Sequence, residues 1–544
     1  RELSSPEVPG RLAPGAVVKQ VALDGERLQY ERVAGDGPPA GWVTLRMSGG
    51  ELMVKVRLAK QPSRFAHPGQ QSPADIPWKG WDALFAEIHP LANARLGLEF
   101  QRIVASRYMR KASSPRSQCS GESAGRAADI LILGATGVVG LFACNAQHFA
   151  SGRTWAIAGR DTRRLSLLQK KFGNTASFAG AWCIEDPGDV KRFVESARVV
   201  IDLSGPKSDF ATAAIEACIQ SGTHYIDVTA FGTGLLFAKR VRDRYDKRAK
   251  AAGVSLVFFC GSDAAADLCA HMLVGHVRER YGLPTRRVDM YNQWNDPVGG
   301  TAFLEYCGAK GLDSELREQG QPFLLGGMRQ GAVREGDHDD QCVHDNKDYA
   351  VSCWPESRSM VQAVRCSCGL FDDTAGYGDN FTFKAWHTFP SRQEAVRDVM
   401  KADFRNHNYD KCVAMGRSPE PGQAAAKKSR QGHCRRSIFV AEADSTEAWR
   451  TCHLAVGWGP GAVACREEES AIIALMSAHC LLGAMDSDTP LRPGFGTPAW
   501  HVGRLGLCEQ WLRLVKSTGV IEGRPGTTLF DHMFNDGVWP QKRK

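Results

Sequence analysis

Asp129-Ile130-Leu131-Ile132-Leu133 runs directly into Gly134-Ala135-Thr136-Gly137-Val138-Val139-Gly140. An apolar run without polar alternation reads as a strand buried on both faces, as parallel sheets require. The septet after it ends the strand in a tight turn and opens a helix. Glycines at these positions let backbone N–H groups approach an anion at the positive end of that helix, and Gly140 lets helix and strand pack closely. A glycine-rich septet alone is weak evidence, and the segments downstream of it decide the fold. Thr154-Trp155-Ala156-Ile157-Ala158 is a second strand, after which Leu165, Leu168 and Phe172 recur at helical spacing. Val199–Leu203, His224–Val228 and Val254–Phe259 supply three more strands separated by helix-length segments. Strands alternating with helices predict an α/β Rossmann domain with a doubly wound parallel sheet.

Such a sheet binds a dinucleotide across the carboxyl ends of its strands, with the pyrophosphate on Gly134, Ala135, Thr136, Gly137, Val138, Val139 and Gly140. An enzyme that uses NAD places an acid at the end of the second strand, whereas this strand ends Ala158-Gly159-Arg160-Asp161, with Arg163 and Arg164 following. Arginine there pairs with a 2′-phosphate, so the cofactor expected is NADP(H), bound through Gly159, Arg160 and Arg164. Asp161 has two readings, a ribose ligand or a cap on the next helix. Ser204-Gly205-Pro206 comes after the third of these strands on the same edge and is expected to border the cofactor. Thr229 and Cys260-Gly261-Ser262-Asp263 close the same edge. Asp263 and Asp267 read either as groups that hold an ammonium or relay a proton, or, the preferred reading, as helix caps. Gly299-Gly300-Thr301 reads as an anion-binding turn or an ordinary loop. Tyr225 and His224 lie on a buried strand, and packing is the better reading for Tyr225.

At 544 residues the chain exceeds one ordinary core, and 43% hydrophobic with 24% charged residues leaves enough apolar surface to fold several. Residues 1–60 read as a small β module, with Arg27–Glu31 and Trp42–Met47 as strands and a hairpin at Ser48-Gly49-Gly50. Residues 61–127 read as linker and helical connection, 128–285 as the Rossmann domain and 286–530 as an α+β substrate or dimerisation domain. That last unit is expected to carry an antiparallel sheet built on Phe381–Phe389, Ser437–Glu442 and Trp449–Trp458, and 531–544 is a tail.

The net charge of +8 is uneven: six basic residues between Arg102 and Arg126 face only Glu122 and supply five of the eight charges. Without interleaved aromatic residues this favours a solvated linker over a nucleic-acid partner. Lys427–Arg436 holds five Lys and Arg without an acid and reads as an exposed, mobile loop, with phosphate or membrane contact as the alternative. Seventeen scattered cysteines with no Cys-x-x-Cys pair suggest reduced thiols and no zinc site. No run of about 18 apolar residues occurs, and Ala471–Met485, broken by Ser477, His479 and Gly483, reads as a buried helix. The first residue is not methionine, so a targeting segment is open to either reading.

In order along the chain, Gly134–Gly140, Ala158-Gly159-Arg160, Gly205-Pro206, Ala217-Cys218, Gly222–Thr229, Gly261–Leu268, Gly299-Gly300-Thr301 and Thr497-Pro498-Ala499 resemble the saccharopine-dehydrogenase-like oxidoreductases, in particular the trans-acting enoyl reductase branch. The resemblance runs from about 128 to 530. It departs at Ala230-Phe231, where relatives usually carry Gly-Glu, and at Ser262 and Ala266. It implies an NADP-dependent oxidoreductase that transfers hydride to or from a C=C, C=N or C=O bond, with Ser262, Asp263 and Thr301 near the substrate. It also implies a small-molecule or lipid-linked substrate, contact with membranes or lipid droplets, a homodimer as a candidate assembly, and an intracellular place in the cytoplasm or peripheral on lipid membranes. The alternative is a non-catalytic NADP(H)-binding scaffold or sensor.

Overall fold

Two periodicities organise the chain, alternation of period two near its start and unbroken apolar strands from Ala128 onward. The computed structural model describes residues 17–24, 27–34, 38–44, 46–47, 50–51, 126–149, 152–205, 207, 209–228, 233–295, 321–328, 343–345, 350–353, 357–389, 391–419, 423, 434–446, 450–458, 465–514 and 516–522. The chain divides into two compact units, Arg1–Gln70 and Gln71–Lys544.

In the first unit β1 (Val17–Asp24), β2 (Arg27–Ala34) and β3 (Ala40–Thr44) form an antiparallel sheet, and β4 (Arg46–Met47) pairs with β5 (Gly50–Glu51) as a separate hairpin. Leu28 and Tyr30, two apart on β2, are buried on one face, as alternation requires. The strand expected over Arg27–Glu31 is present, the one expected over Trp42–Met47 is divided between β3 and β4 in different sheets, and β1 adds a strand that the sequence reading did not assign.

The second unit opens with β6 (Ala128–Leu133), α1 (Val138–Phe149), β7 (Trp155–Gly159), α2 (Thr162–Phe172), β8 (Phe178–Cys183), α3 (Pro187–Glu195), β9 (Ala197–Asp202), α4 (Asp209–Ser221), β10 (His224–Asp227), α5 (Thr233–Ala251), β11 (Ser255–Val257) and α6 (Ala264–Tyr281). The strands pair in the order β8-β7-β6-β9-β10-β11, all parallel, so the order reverses between β6 and β9. This is the doubly wound sheet expected. Helices cover both faces: Leu141 and Phe142 of α1 pack with Ile130 and Ile132 on one, while Ala214 and Ile215 of α4 pack with Leu131 and Val200 on the other. Two arginines tie the starts of the central strands β6 and β9 to neighbouring helices. Arg126, expected in a solvated linker, is half-buried and donates to Ala197 O at 2.8 Å and to Ser221 O, at the C-terminal end of α4, at 2.6 Å. Arg198 bridges Asp129 at 2.9 Å and Asp486 at 2.8 Å.

Beyond α6 a second sheet runs β13 (Val343–Asp345), β14 (Ala350–Cys353), β15 (Tyr377–Phe389), β12 (Thr285–Asn295), β16 (Cys434–Ala443), β17 (Thr451–Trp458), β19 (Lys516–Glu522). It is mixed and not purely antiparallel, because β12 and β15 run parallel. A parallel pair needs a long crossover, and α7 (Ser357–Leu370) lies on that path and packs against α6 and β15. Two more helices, α8 (Arg392–His407) and α9 (Tyr409–Ala414), separate β15 from β16 in a stretch where no regular helix was expected.

The chain then returns to the first sheet. α10 (Arg466–Asp486) packs along α1, and β18 (Gly494–Gly496) joins β11 as a seventh parallel strand, followed by α11 (Pro498–His501) and α12 (Leu507–Leu514). A second unit bounded at 286–530 therefore does not describe the sheets, since 494–496 belongs to the parallel one. One apolar core runs from Ile130 and Leu141 through Ala270, Leu475 and Ala478 to Phe383 and Phe439, so α6 and α10 join both sheets. α10 is also long and apolar enough to span a membrane, which the apolar run alone was not, but it is almost wholly enclosed here, as a core helix is.

Candidate functional site at the carboxyl edge of the parallel sheet

Where the strand order reverses, helices leave β6 and β9 on opposite faces and a crevice opens between the turns at the ends of these strands. Gly134 has φ 74°, and a Cβ built there would lie 2.7 Å from Ser204 N and 2.8 Å from Leu203 C. The two turns therefore touch at this point, and only glycine fits. A Cβ on Gly140 would lie 2.3 Å from Gly134 O, which fixes α1 against the same turn. Gly137 differs: its nearest neighbour would be Gly134 O at 3.3 Å, and Gly205 would meet nothing within 4 Å. These two backbones are open on the Cβ side at the N-terminal end of α1, where first-turn N–H groups point out of the helix toward an anion, although Gly137 N itself donates to Gly134 O at 3.0 Å. Ala135 and Val138 are buried beneath the turn, Val139 is half-buried, and Thr136 Oγ1 would lie 3.4 Å from a Cβ on Gly159. The residues present thus fit a dinucleotide.

At the end of β7, Arg160 is half-buried with its guanidinium carbon 5.6 Å from the centroid of the Phe210 ring, on the first turn of α4. It thus lies at the carboxyl edge of the sheet, against the first turn of α4. Asp161 caps α2, accepting from Arg164 N at 2.9 Å and pairing with Arg164 Nε at 3.1 Å. Of its two readings the structure takes the cap, and Arg164 is thereby turned toward Asp161. Pro206, Thr229, Ala230, Phe231 and Gly299–Thr301 lie outside the described residues.

A buried polar cluster sits at the ends of β9 and β10. Asp202 and Asp227 are Cα partners in the ladder and fully buried. Lys207 Nζ reaches Asp202 Oδ2 at 3.0 Å and Asp227 Oδ2 at 2.9 Å, and Tyr225 Oη lies 2.7 Å from both oxygens. Ser204 donates to Asp202 Oδ1 from its N–H at 2.9 Å and its hydroxyl at 2.5 Å. Burial opposes ionisation of Asp202, but the Lys207 ammonium and these hydrogen bonds outweigh it and hold the carboxyl below its ordinary range. Burial likewise opposes the ammonium of Lys207, and the two carboxylates reverse that and raise it. Tyr225 does pack in the core, as expected, with its phenol spent on this cluster. The sequence reading missed Lys207 and both acids. The available signal was an acid as the last residue of two successive strands, Ile201-Asp202 and Ile226-Asp227.

The loop after β11 is shaped by Phe259, at φ 62° in the left-handed region that side chains rarely adopt. Phe258 N still pairs with Gly496 O on the β18 side, while Cys260 N pairs with Asp227 O on the β10 side. The kink thus turns the next residues over the edge. Ser262 and Asp263 are buried: Ser262 N donates to Ser470 Oγ at 3.0 Å, and Asp263 Oδ2 accepts from Ser359 Oγ at 2.7 Å. Asp263 stands at the N-cap of α6 but makes no capping bond, and Asp267 lies inside the helix, so the capping reading is corrected for both. Asp267 accepts from Ala499 N at 2.8 Å and from Ser367 Oγ at 2.5 Å, yet burial outweighs these bonds and raises it to about 6. Arg435 donates to Ser262 O at 3.1 Å and pairs with Glu469 at 3.0 Å, both side chains buried. The exposed loop expected at Lys427–Arg436 therefore ends early: Cys434–Arg436 is strand, Arg435 sits in the core, and 427–433 lies outside the described residues.

Residues 130–257 match the family described as saccharopine dehydrogenase NADP binding domain. A trans-acting enoyl reductase of Mycobacterium leprae is 29% identical over 160 residues, 28% of this chain and 36% of that protein. A lipid droplet localized protein of Caenorhabditis elegans is 29% identical over 157 residues, 27% of this chain and 36% of that one. The chain thus aligns to about a third of the length of these relatives. Apo saccharopine dehydrogenase (L-Glu forming) from Saccharomyces cerevisiae superposes over 72% of this chain and 99% of its own, at TM-score 0.42 and 12% identity. The switch-point turns lie within the matched segment, and Ile130 to Val257 is thus similar to the saccharopine dehydrogenase NADP binding domain.

Proposed function

We propose that the protein is an NADP(H)-dependent oxidoreductase that transfers hydride to or from a C=C, C=N or C=O bond of a small-molecule or lipid-linked substrate. The observation that carries this reading is the contact of the Gly134 turn with the Leu203–Ser204 turn across the β6–β9 switch, with Gly137 and Gly205 left open beside it at the N-terminal end of α1. In this reading the bound dinucleotide supplies or accepts the hydride. The chain's own residues do the rest. Gly137 and Gly205 leave the pyrophosphate room to reach backbone N–H groups, and Arg160 lies where a 2′-phosphate hangs off the end of β7. The loop after β11, turned over the sheet edge at Phe259, borders the nicotinamide half and keeps water out. Lipid-linked substrates, and contact with a lipid surface, are supported by two relatives whose names speak of enoyl reduction and lipid droplets.

The test is steady oxidation of NADPH by the purified full chain offered a panel of enoyl lipids and of amino-acid imines. Turnover with one class identifies the substrate. Buried Ser262 and Asp263, both committed to internal hydrogen bonds, favour the scaffold reading, in which the cofactor binds without reacting. Tight NADPH binding with no turnover on either class would decide for the scaffold.

A further inference from the structure

From Lys239 to Lys250, α5 places seven Lys and Arg against two acids, Asp243 and Asp246. Both acids are taken up along one flank of the helix. Asp243 pairs with Lys239 at 2.9 Å and with Arg242 at 2.8 Å, and Asp246 pairs with Lys250 at 2.8 Å. Arg240, Arg244 and Arg248 follow one another at intervals of four with Lys247 beside them, so the helix sets all four on one face over about 12 Å. All four are exposed. Among the described residues no acid pairs with Arg240, Lys247 or Arg248. Arg244 meets Glu216 Oε1 at 3.5 Å, an oxygen that also accepts the Tyr245 phenol at 2.6 Å.

Like charges one turn apart repel and weaken a helix, so folding gives no reason for this row. Its members are nonetheless held in order. The guanidinium carbons of Arg244 and Arg248 lie 5.1 and 5.4 Å from the centroid of the Tyr245 ring, a contact that positions a cation without neutralising it. A polyanion fits such a face, and the setting of the helix selects which. α5 lies against β11 and β18, and the Tyr245–Glu216 bond ties it to α4. A helix held in a layer cannot enter a nucleic-acid groove as a projecting one does. The face also offers no ring for a base to stack on, since Tyr245 is buried. Its exposed positions from Arg240 to Ala251 carry no apolar side chain larger than alanine, so it is not built to insert.

We propose that the Arg240–Arg244–Lys247–Arg248 face of α5 docks the protein on the surface of an anionic phospholipid bilayer, with headgroup phosphates accepting hydrogen bonds from the guanidinium groups. The contact is peripheral, set by lipid charge and ionic strength. It rests on the exposed charges and not on the cofactor, and it gives the lipid contact of the function proposed above a place on the chain.

Cosedimentation of the purified full chain with vesicles tests this. The protein should bind vesicles of mixed phosphatidylserine and phosphatidylcholine, should not bind pure phosphatidylcholine, and should be released by raised salt. Arg240→Gln, Lys247→Gln and Arg248→Gln should each weaken binding about fivefold, and the triple variant about a hundredfold. Arg240→Lys keeps the charge and should bind like the unmutated protein. These side chains face solvent, so the triple variant should keep its NADPH affinity. Equal binding to charged and uncharged vesicles would overturn the proposal, as would a triple variant that binds anionic vesicles as tightly as the unmutated protein. Capture of duplex DNA that the triple variant loses, with no vesicle binding, would overturn it in favour of a nucleic acid. Absence of vesicle binding by a protein that binds NADPH removes this surface alone, whereas vesicle binding without NADPH binding supports the surface and removes the cofactor reading.

Discussion

Two glycines of one turn carry different loads, and substitution separates them. Gly134 is held by φ 74° and by backbone atoms under 3 Å from any Cβ, so Gly134→Ala should cost about 2 kcal/mol or more of stability, read as a fall in the denaturation midpoint. Gly137 has no such neighbour, and Gly137→Asp should leave the fold intact while placing a carboxylate against the pyrophosphate and abolishing dinucleotide binding. Micromolar NADPH affinity in a folded Gly137→Asp protein would remove the assignment of the motif. Asp267 gives a second test. Its folded value of about 6 lies above the ordinary 3.8, so between those pH values the folded chain holds a proton that the unfolded chain has released. Its contribution to stability is complete below pH 3.8 and is lost as pH rises through 6. Asp267→Asn should remove that loss, leaving the variant more stable than the parent at pH 7 by about 2 to 3 kcal/mol relative to their difference at pH 4. Parallel stability curves for the two proteins across this range would refute the assignment. The sequence displayed the glycines because their spacing is local. It displayed Asp267 as a candidate but not its setting, because the partners Ser367 and Ala499 are 100 and 232 residues away.

At the scale of elements, legibility depended on burial. β6, β7, β9 and β10 are buried on both faces and read as apolar runs, and Leu165, Leu168 and Phe172 marked the inner face of α2. β8 escaped because Phe178-Ala-Gly-Ala-Trp-Cys183 is an edge strand, mostly half-exposed and poor in β-branched residues. β18 escaped because three residues, two of them glycine, form no pattern, and only the ladder with Ser255–Val257 makes them a strand. The basic stretch before Ile438 misled for a related reason: charge alone suggested solvent, whereas Arg435 finds Glu469 on α10, 34 residues on. This pair ties β16 to α10 and to the Ser262 loop. Arg435→Met leaves Glu469 buried without a counter-charge and should destabilise the fold by about 3 to 5 kcal/mol, while Arg435→Met with Glu469→Met should recover most of it. Equal melting temperatures for the single and double variants would show that the pair is not coupled.

On the scale of the whole second unit, the two sheets share one core through α6 and α10, so the crevice is set by a continuous framework and not by a hinge between separate cores. Glycine turn, Ser204 turn and the Phe259 kink all leave the same edge of the parallel sheet, the first two backed by that core through Ala135 and Leu203 and the third by the cluster on the opposite face through Phe258 and Phe259. The central claim is that this edge holds a dinucleotide carrying a 2′-phosphate. Fluorescence titration of the unmutated protein with NADPH and with NADH at low salt tests it most directly. One charge-assisted contact to the extra phosphate is worth roughly 1.5 to 3 kcal/mol, so NADPH should bind about tenfold tighter or more, and Arg160→Ala should erase most of the difference while sparing NADH. Equal affinity for the two in the unmutated protein would contradict the account.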